Sequence, residues 1–220
     1  MNKIEKIIDE LKKILDINSI ITLESEISSK YKIACIPIKR AIPIVLKVKQ
    51  KEEIPKILKL ANKYNIAVYP ISTGKNWGYG SANPVTNNNI ILDLSQLNKI
   101  INYDEKLAYV EVEPGVSQEQ LFNFLKEKNS HLMIDPSGSS PSCSLLGNSI
   151  ERGFGIGPYN DHFDSVCSME IILANGEILK TGFSHYENAQ TKNTFKYGIG
   201  PYLNGIFSQS NFGIVTKIGL

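Results

Sequence analysis

Residues 70–84 read PISTGKNWGYGSANP, and this glycine-rich stretch decides the fold class. It directly follows a β-α-β pattern, in which an apolar run at 44–48 and a short strand at 67–69 enclose apolar residues at helical spacing over 52–64. In such a unit the carboxyl end of the second strand is free to carry a ligand-binding loop. We therefore expect an α/β unit that presents residues 70–84 to a ligand.

The composition of this loop favours an anion as the ligand. Its glycines allow backbone N–H groups to approach an anion closely, and its hydroxyl side chains add further donors. The residues concerned are Ser72, Thr73, Gly74, Gly78, Gly80 and Ser81. The P-loop pattern is excluded because Lys75 follows the first glycine, and the Rossmann pattern is excluded because Pro84 and a turn at 87–89 replace its helix. A plain surface turn remains the alternative.

Downstream of residue 84 the sequence predicts short strands and short helices. Ser117 has the position of an N-cap before a helix at 118–128, and the pair Asn175-Gly176 indicates a hairpin. The predicted strands are 90–94, 108–112, 168–173, 177–181 and 214–220, with a turn at 102–106 and a further helix at 145–150. If the domain is incomplete, we expect the apolar faces of the last strand to be exposed.

A second glycine cluster, ERGFGIGPYND at residues 151–161, leaves two interpretations open. Gly153, Gly155 and Gly157 could bind a phosphate, or they could form a wide structural loop, because Pro158 prevents a helix from following. Two glycine-rich loops in one chain favour a large ligand with several parts. They do not identify that ligand.

Polar residues near this cluster define neither a metal site nor a nucleophile. Asp161, His162 and Asp164 lack a second group of ligands at metal-binding spacing, so we expect no metal and interpret them as a polar cluster that points into a pocket. The alternating serines at 140–144 lack a G-x-S-x-G elbow. A helix cap or a phosphate contact is the expected role of these serines.

The bulk composition excludes several classes of protein. A formal net charge of +2, from 24 basic and 22 acidic residues, is too balanced to indicate nucleic acid or a membrane surface as a partner. The three cysteines lack CxxC spacing, so we expect no disulfide framework and a reducing, cytoplasmic location. Residues 1–15 have the spacing of an amphipathic helix rather than a signal peptide, and no apolar run reaches the ~20 residues of a membrane span.

Five longer stretches resemble the vanillyl-alcohol oxidase and 4-cresol dehydrogenase family, whose FAD domain is of the PCMH type. In the family's order they are PISTGKNWGYGSANP, VEPGVSQEQL, DPSGSSPSCSLLGNSIERGFGIGPYNDHF, MEIILANGEILKTG and GIGPYLNGIFSQSNFGIVTKIGL. The resemblance covers residues 41–220 and implies an α+β fold, the PCMH-type FAD-binding fold of two α/β subdomains that flank the flavin. Residues 1–40 would form an N-terminal helical segment. Because family members continue into a substrate-binding cap domain, the resemblance also implies that the cap is absent and the FAD-binding domain is incomplete at its C-terminus.

The resemblance further implies which residues contact FAD. The pyrophosphate loop would comprise Ser72, Thr73, Gly74, Lys75, Asn76, Trp77, Gly78 and Gly80. A second segment would comprise Gly147, Asn148, Arg152 and Gly153, and a third would comprise Gly205, Asn211, Gly213, Ile214 and Val215. The phosphate contact expected of the serines at 140–144 adds Ser140 to these residues. Tyr79 matches the position whose hydroxyl holds a phenolic substrate as its anion, and Asp161 matches a carboxylate near the flavin N5.

The chemistry implied by this resemblance is hydride transfer from the benzylic carbon of a phenolate to the flavin N5. Two alternatives stay open: a non-catalytic module that binds FAD or a partner, and a fragment of a 2-hydroxy-acid dehydrogenase of the lactate type. The tyrosine in GKNWGYG favours the phenolic branch. A separate cap-domain chain or a second copy of this chain is the expected protein partner.

Overall fold

The computed structural model describes residues 3–34, 39–76 and 81–220. Its contacts divide the chain into two compact units, Met1–Gln96 and Leu97–Leu220. Each unit has one β-sheet of its own.

The first unit is a small α/β layer structure. Its elements are α1 (Lys3–Leu11), a 3-10 helix (Ile17–Ser19), β1 (Ile20–Ile21), α2 (Glu24–Lys30), β2 (Ile44–Lys47), α3 (Glu53–Tyr64), β3 (Val68–Ile71) and β4 (Ile90–Asp93). The strand order is β1-β2-β4-β3. Strands β2, β4 and β3 are parallel, whereas β1 pairs with β2 in the antiparallel sense.

Both faces of this sheet are covered. The β2 residues Ile44, Val45 and Leu46 are completely buried although they alternate between the two faces, as is typical of a parallel sheet with cover on both sides. On one face Ile27 and Tyr31 belong to the same buried cluster as Val45. Helix α1 packs against α3. The N-terminal segment is thus packed into the first unit, and the division of the chain at residue 40 stays a prediction.

The second strand of the β-α-β pattern is longer than predicted. The prediction ended it at Tyr69, whereas β3 continues through Pro70 to Ile71. Because proline has no N–H to donate, it is confined to edge strands, and β3 is the edge strand of its sheet. The loop of residues 72–76 therefore begins at the carboxyl end of an edge strand.

The second unit contains an antiparallel sheet with the strand order β5-β6-β9-β7-β8. Its elements are β5 (Ile100–Asp104), β6 (Tyr109–Val112), α4 (Gln118–Glu127), α5 (Leu145–Ile150), β7 (Ser168–Leu173), β8 (Ile178–Lys180), a 3-10 helix (Gly182–His185), α6 (Asn204–Phe207) and β9 (Gly213–Gly219). As predicted, the Ser117 hydroxyl caps α4 by accepting from the Gln120 N–H at 3.1 Å. The predicted Asn175-Gly176 hairpin is also confirmed, with Gly176 at φ +89° between β7 and β8.

Two predictions for this unit are wrong. Residues 102–104 were expected in a turn, but they belong to β5. The turn follows directly after Asp104, whose Oδ1 accepts from the Lys106 and Leu107 amides at 2.9 Å. The last strand was expected to expose an apolar face, but Ile218 is completely buried. The reason is topological, because β9 lies in the middle of the sheet between β6 and β7.

Candidate functional site

Residues 72–76 of the first unit form the start of the predicted pyrophosphate loop. Gly74 adopts φ +68°, a conformation that side chains with a Cβ rarely adopt. A Cβ at this position would also lie 3.2 Å from the Ala82 Cβ. The loop closes where the Ser81 N–H donates to the Asn76 carbonyl at 2.7 Å. This tight turn needs glycine at position 74.

The donors of this loop fit a diphosphate. Ser72 and Thr73 contribute hydroxyls, Lys75 is an exposed cation, and no residue from 72 to 76 carries a carboxylate. Such a set offers hydrogen bonds and one positive charge to an anion, beside a backbone that glycine allows to turn sharply. The remaining predicted loop residues, Trp77, Gly78, Tyr79 and Gly80, lie outside the described residues.

A buried hydrogen bond lies at the sheet edge from which this loop starts. Ile71 is paired with Asp93 of β4, and the Tyr31 hydroxyl donates to Asp93 Oδ2 at 2.7 Å. The other carboxylate oxygen accepts from the Ser95 N–H at 2.9 Å. Burial, together with the neighbouring carboxylate, raises the pKa of Tyr31 well above its usual value, so the tyrosine stays a neutral donor. The end of β4 is therefore fixed by two hydrogen bonds.

In the second unit, α5 carries the predicted second FAD segment. Ser144 caps this helix by accepting from the Gly147 N–H at 2.8 Å. At the other end, the Arg152 and Gly153 amides donate to the Ser149 and Asn148 carbonyls, which is the Schellman pattern. This pattern places Arg152 at φ +54°. The Arg152 side chain is exposed, and its Nε donates to the Ser208 hydroxyl at 3.0 Å.

The second glycine cluster forms a short ribbon with residues 160–162, and its Gly155 also pairs with Ser137 in the antiparallel sense. Phe154 and Asp161 are paired in the antiparallel sense, the Gly155 N–H donates to the Asn160 carbonyl at 2.8 Å, and the His162 N–H donates to the Gly153 carbonyl at 3.2 Å. Residues that face each other in such a pair have side chains on the same face. Phe154 and Asp161 therefore share a face, and both are exposed. The Asp161 Oδ1 accepts from the Phe163 N–H at 3.0 Å.

The amides of this glycine cluster are already used within the unit. Gly153 donates to the Asn148 carbonyl, Gly155 to the Asn160 carbonyl and Gly157 to Asp135 Oδ1, each at 2.8 Å. They are therefore not free to bind a phosphate. Of the two open interpretations, the geometry favours the structural loop, and a contact between Gly153 and FAD through other atoms stays a prediction.

His162 connects α5 to the loop that contains Asp135. Its Nδ1 is hydrogen-bonded to the Asn148 Oδ1, and its Nε2 lies 3.7 Å from Asp135 Oδ2. Sequence reasoning grouped His162 with Asp161 and Asp164, but the structure separates them: both aspartates are exposed and His162 points inward. Asp135 and Ser208 were missed. Only the alternation of side chains in the extended segment 160–162 could have indicated this division.

The third predicted segment is placed on α6 and β9. Gly205 lies in α6, three residues before the Ser208 that binds Arg152, so the second and third segments meet there. Asn211 is exposed, whereas Ile214 and Val215 are buried in β9. A Cβ on Gly213 would lie closer than 3.0 Å to the Ile171 side chain, so this glycine is required by packing.

Ser140 lines an open groove. The groove has a volume of about 780 Å³ and is lined by one side of α4 and by residues 130–141. The Ser140 hydroxyl is within 2.9 Å of the Ser142 hydroxyl.

Within residues 3–34, 39–76 and 81–220, no group of three or more His, Cys, Asp or Glu side chains could hold a metal ion. Over the same ranges, no helix has the length and apolar character of a membrane span.

Comparison with known proteins identifies the family and the cofactor of this α+β chain. The model of the FAD binding domain family matches residues 42–182. The chain belongs to this family. The resemblance to 4-cresol dehydrogenase and its relatives, the predicted PCMH-type fold and the predicted FAD cofactor are thereby confirmed.

Three proteins illustrate the similarity. The chain is 42% identical over 177 residues to 1'-carboxy-chondrochloren decarboxylase of Chondromyces crocatus, covering 80% of this chain and 33% of that protein. It is 42% identical over 168 residues to the 4-cresol dehydrogenase [hydroxylating] flavoprotein subunit of Pseudomonas putida, covering 76% and 32%. The crystal structure of p-cresol methylhydroxylase with substrate bound superimposes with a TM-score of 0.95 at 34% identity, covering 99% of this chain and 42% of that one. The chain thus spans about a third of the length of these curated relatives.

Proposed function

We propose that this chain is the FAD-binding part of an oxidoreductase that removes a hydride from a small phenolic substrate of the 4-alkylphenol type. The observation that supports it most is the exposed carboxylate of Asp161, held on the same face of the ribbon as the exposed ring of Phe154. The 42% identity to a 4-cresol dehydrogenase subunit favours this substrate class. The chain spans only about a third of the length of these relatives, so its substrate, its partners and its activity are all proposed.

The proposed cofactor contacts lie at residues 72–80, at Ser140 and at residues 147–153 and 205–215. Residues 72–76 supply hydroxyls and a cation to the diphosphate, and Arg152 supplies an exposed guanidinium at the end of α5. The full proposed set is Ser72, Thr73, Gly74, Lys75, Asn76, Trp77, Gly78, Gly80, Ser140, Gly147, Asn148, Arg152, Gly153, Gly205, Asn211, Gly213, Ile214 and Val215. For Ile214 and Val215 the buried side chains leave the backbone as the contacting group.

Two residues would act on the substrate. FAD, when bound, supplies the hydride acceptor. Asp161 would either accept a proton from the substrate or stabilise the positive charge that develops on it, and its exposed carboxylate suits both roles. Tyr79 would donate a hydrogen bond to the phenolate oxygen.

Oxidative decarboxylation is the second candidate activity. It is supported by the equal identity, 42%, to a decarboxylase from Chondromyces crocatus.

A separate cap-domain chain or a second copy of this chain would complete the substrate site. The cytoplasmic location inferred from the cysteines also remains part of the proposal.

The proposal is tested with the purified chain and added FAD. We expect FAD to bind, with quenching of its fluorescence, and we expect 4-alkylphenols to bleach the bound flavin under anaerobic conditions. Asp161→Asn should leave FAD binding unchanged and slow the bleaching by roughly 100-fold, the usual contribution of a positioned acid–base group. Failure to bind FAD contradicts the cofactor assignment.

The choice of substrate separates the remaining alternatives. Bleaching by D-lactate but not by 4-alkylphenols would identify a hydroxy-acid dehydrogenase. Release of carbon dioxide from a carboxylated phenolic substrate would favour the second candidate. Stable FAD binding without bleaching by any of these compounds would leave the non-catalytic module.

A further inference from the structure

His162 follows Asp161 in sequence but lies on the opposite face of the ribbon. In an extended segment, successive side chains point to opposite faces. The pairing of Phe154 with Asp161 fixes the outer face, so His162 faces inward together with Gly153 and Gly155. Asp161 cannot leave the outer face unless His162 leaves the inner one.

The inner face is built around the His162 ring. The Asn148 Oδ1 is a pure acceptor, so the Nδ1 N–H of His162 is the donor in their hydrogen bond. This bond connects the ribbon to α5, whose two ends are capped by Ser144 and by the Schellman turn. The imidazole is thus held by a helix that is capped at both ends.

On its other side the ring faces the carboxylate of Asp135. Nε2 and Oδ2 lie 3.7 Å apart, and neither buried atom has a hydrogen-bond partner of its own. The other oxygen of Asp135 accepts from the Gly157 N–H at 2.8 Å. Asp135 therefore contacts the ribbon twice, once through the His162 ring and once through the backbone.

The glycines of the ribbon leave space for this network. A Cβ on Gly153 would come closer than 3.0 Å to the Asn148 side chain, and a Cβ on Gly155 would come equally close to Asp135 and His162. A Cβ on Gly157 would lie 2.8 Å from Asp135 Oδ1. The alternate glycines and the three polar side chains therefore form one packed arrangement.

We propose that His162, hydrogen-bonded to Asn148 and packed against Asp135, is a positioning residue that fixes the place of Asp161 beside the substrate. The inference rests on the proposed function for the role of Asp161. The network itself touches no substrate and acts through the ribbon.

The first test needs no flavin. In the full chain, amide hydrogen exchange is measured at Phe163 and Asp164, the two amides that donate to Asp161 Oδ1. We expect His162→Ala and Asp135→Ala to raise exchange at both amides about 10-fold relative to the α4 core amide of Leu125, because the ribbon opens locally. Asp135→Asn keeps the shape and can donate from its amide to Nε2, so it should restore protection. His185→Gln, at an exposed histidine, is the matched control and should change nothing.

The second test uses the FAD-loaded chain and the midpoint potential of its flavin. Asp161→Asn removes a negative charge and should shift that potential, and His162→Ala should shift it in the same direction. If exchange and potential are unchanged in both alanine variants, the inference is overturned. It is also overturned if Asp161→Asn shifts the potential and His162→Ala does not, since Asp161 is then placed without His162.

These outcomes separate the two proposals. If FAD does not bind, or if Asp161→Asn leaves the potential unchanged, the proposed function fails, while the exchange data still decide whether His162 positions Asp161. If His162→Ala does not fold, Asp135→Ala with its Asp135→Asn rescue provides the same comparison with the imidazole in place.

Discussion

The two glycine-rich segments of this chain contain glycine for different physical reasons. In the first segment Gly74 is needed for its backbone, because it adopts φ +68°. In the second segment Gly153, Gly155 and Gly157 have ordinary negative or extended φ angles and are needed for space, because polar side chains lie where their Cβ atoms would be. The same residue type thus solves a conformational problem in one unit and a packing problem in the other.

The two segments also differ in the chemical groups that they offer to a ligand. The first segment turns sharply after a parallel strand and carries hydroxyls and a cation, which suits an anion. The second uses its glycine amides within the unit and offers an exposed carboxylate and an aromatic ring instead. Glycine content alone therefore does not indicate a phosphate site.

The largest expected effect is from Gly155→Ala. Its new Cβ would overlap the side chains of Asp135 and His162, so we expect a loss of about 3 kcal/mol in the free energy of unfolding. Gly138→Ala is the control, because nothing lies within 4 Å of its Cβ, and it should change stability by less than about 0.5 kcal/mol. Urea denaturation measures both. Equal stability of the two variants would contradict the packing explanation.

Tyr31→Phe tests the support of the first loop. The substitution leaves the buried Asp93 Oδ2 without its donor, and we expect the free energy of unfolding to fall by about 2 kcal/mol. Tyr64→Phe removes a hydroxyl that donates to Glu10 at the surface, and it should cost less than about 0.5 kcal/mol. Thermal denaturation at neutral pH compares the two. A similar cost for both would show that burial of the Asp93 hydrogen bond is unimportant.

Gly74→Ala isolates the conformational role of glycine. We expect the free energy of unfolding to fall by about 1.5 kcal/mol, because alanine disfavours the left-handed backbone at this position. We also expect weaker FAD binding. Gly74→Asn should cost less, because asparagine tolerates this conformation better. Gly200→Ala is a second control. Gly200 also has a positive φ, +89°, but open space around it, so this variant measures the cost of the backbone conformation without a steric contact. If alanine at position 74 has no cost, the loop can adopt another backbone conformation.

The smallest expected effect is on the free energy of unfolding at alkaline pH. The pKa of Tyr31 is raised in the folded chain, so its contribution is complete below the ordinary tyrosine pKa of about 10. It decreases as pH rises further, because the unfolded chain then releases this proton more readily. Denaturation midpoints between pH 9 and 11 should therefore fall less steeply in Tyr31→Phe than in the unchanged chain. Parallel curves would contradict this contribution.

Local patterns were sufficient for most of the fold. The Ser117 cap, the Asn175-Gly176 hairpin and helix α5 depend on neighbouring residues and were predicted correctly. The extension of β3 through Pro70 was missed because an edge position permits a proline, and strand order is not visible in the sequence. The burial of β9 was missed for the same reason.

The sequence by itself determined the family and the cofactor, because these depend on motifs. The anion-binding role of the first glycine loop stays a prediction. Only the tertiary structure decided that the second glycine cluster serves packing, and that His162 points away from Asp161 towards Asp135. Asp135 is 27 positions away from His162 along the chain. Contacts at such separations arise from strand pairing and side-chain packing, and these are set by the folded chain as a whole.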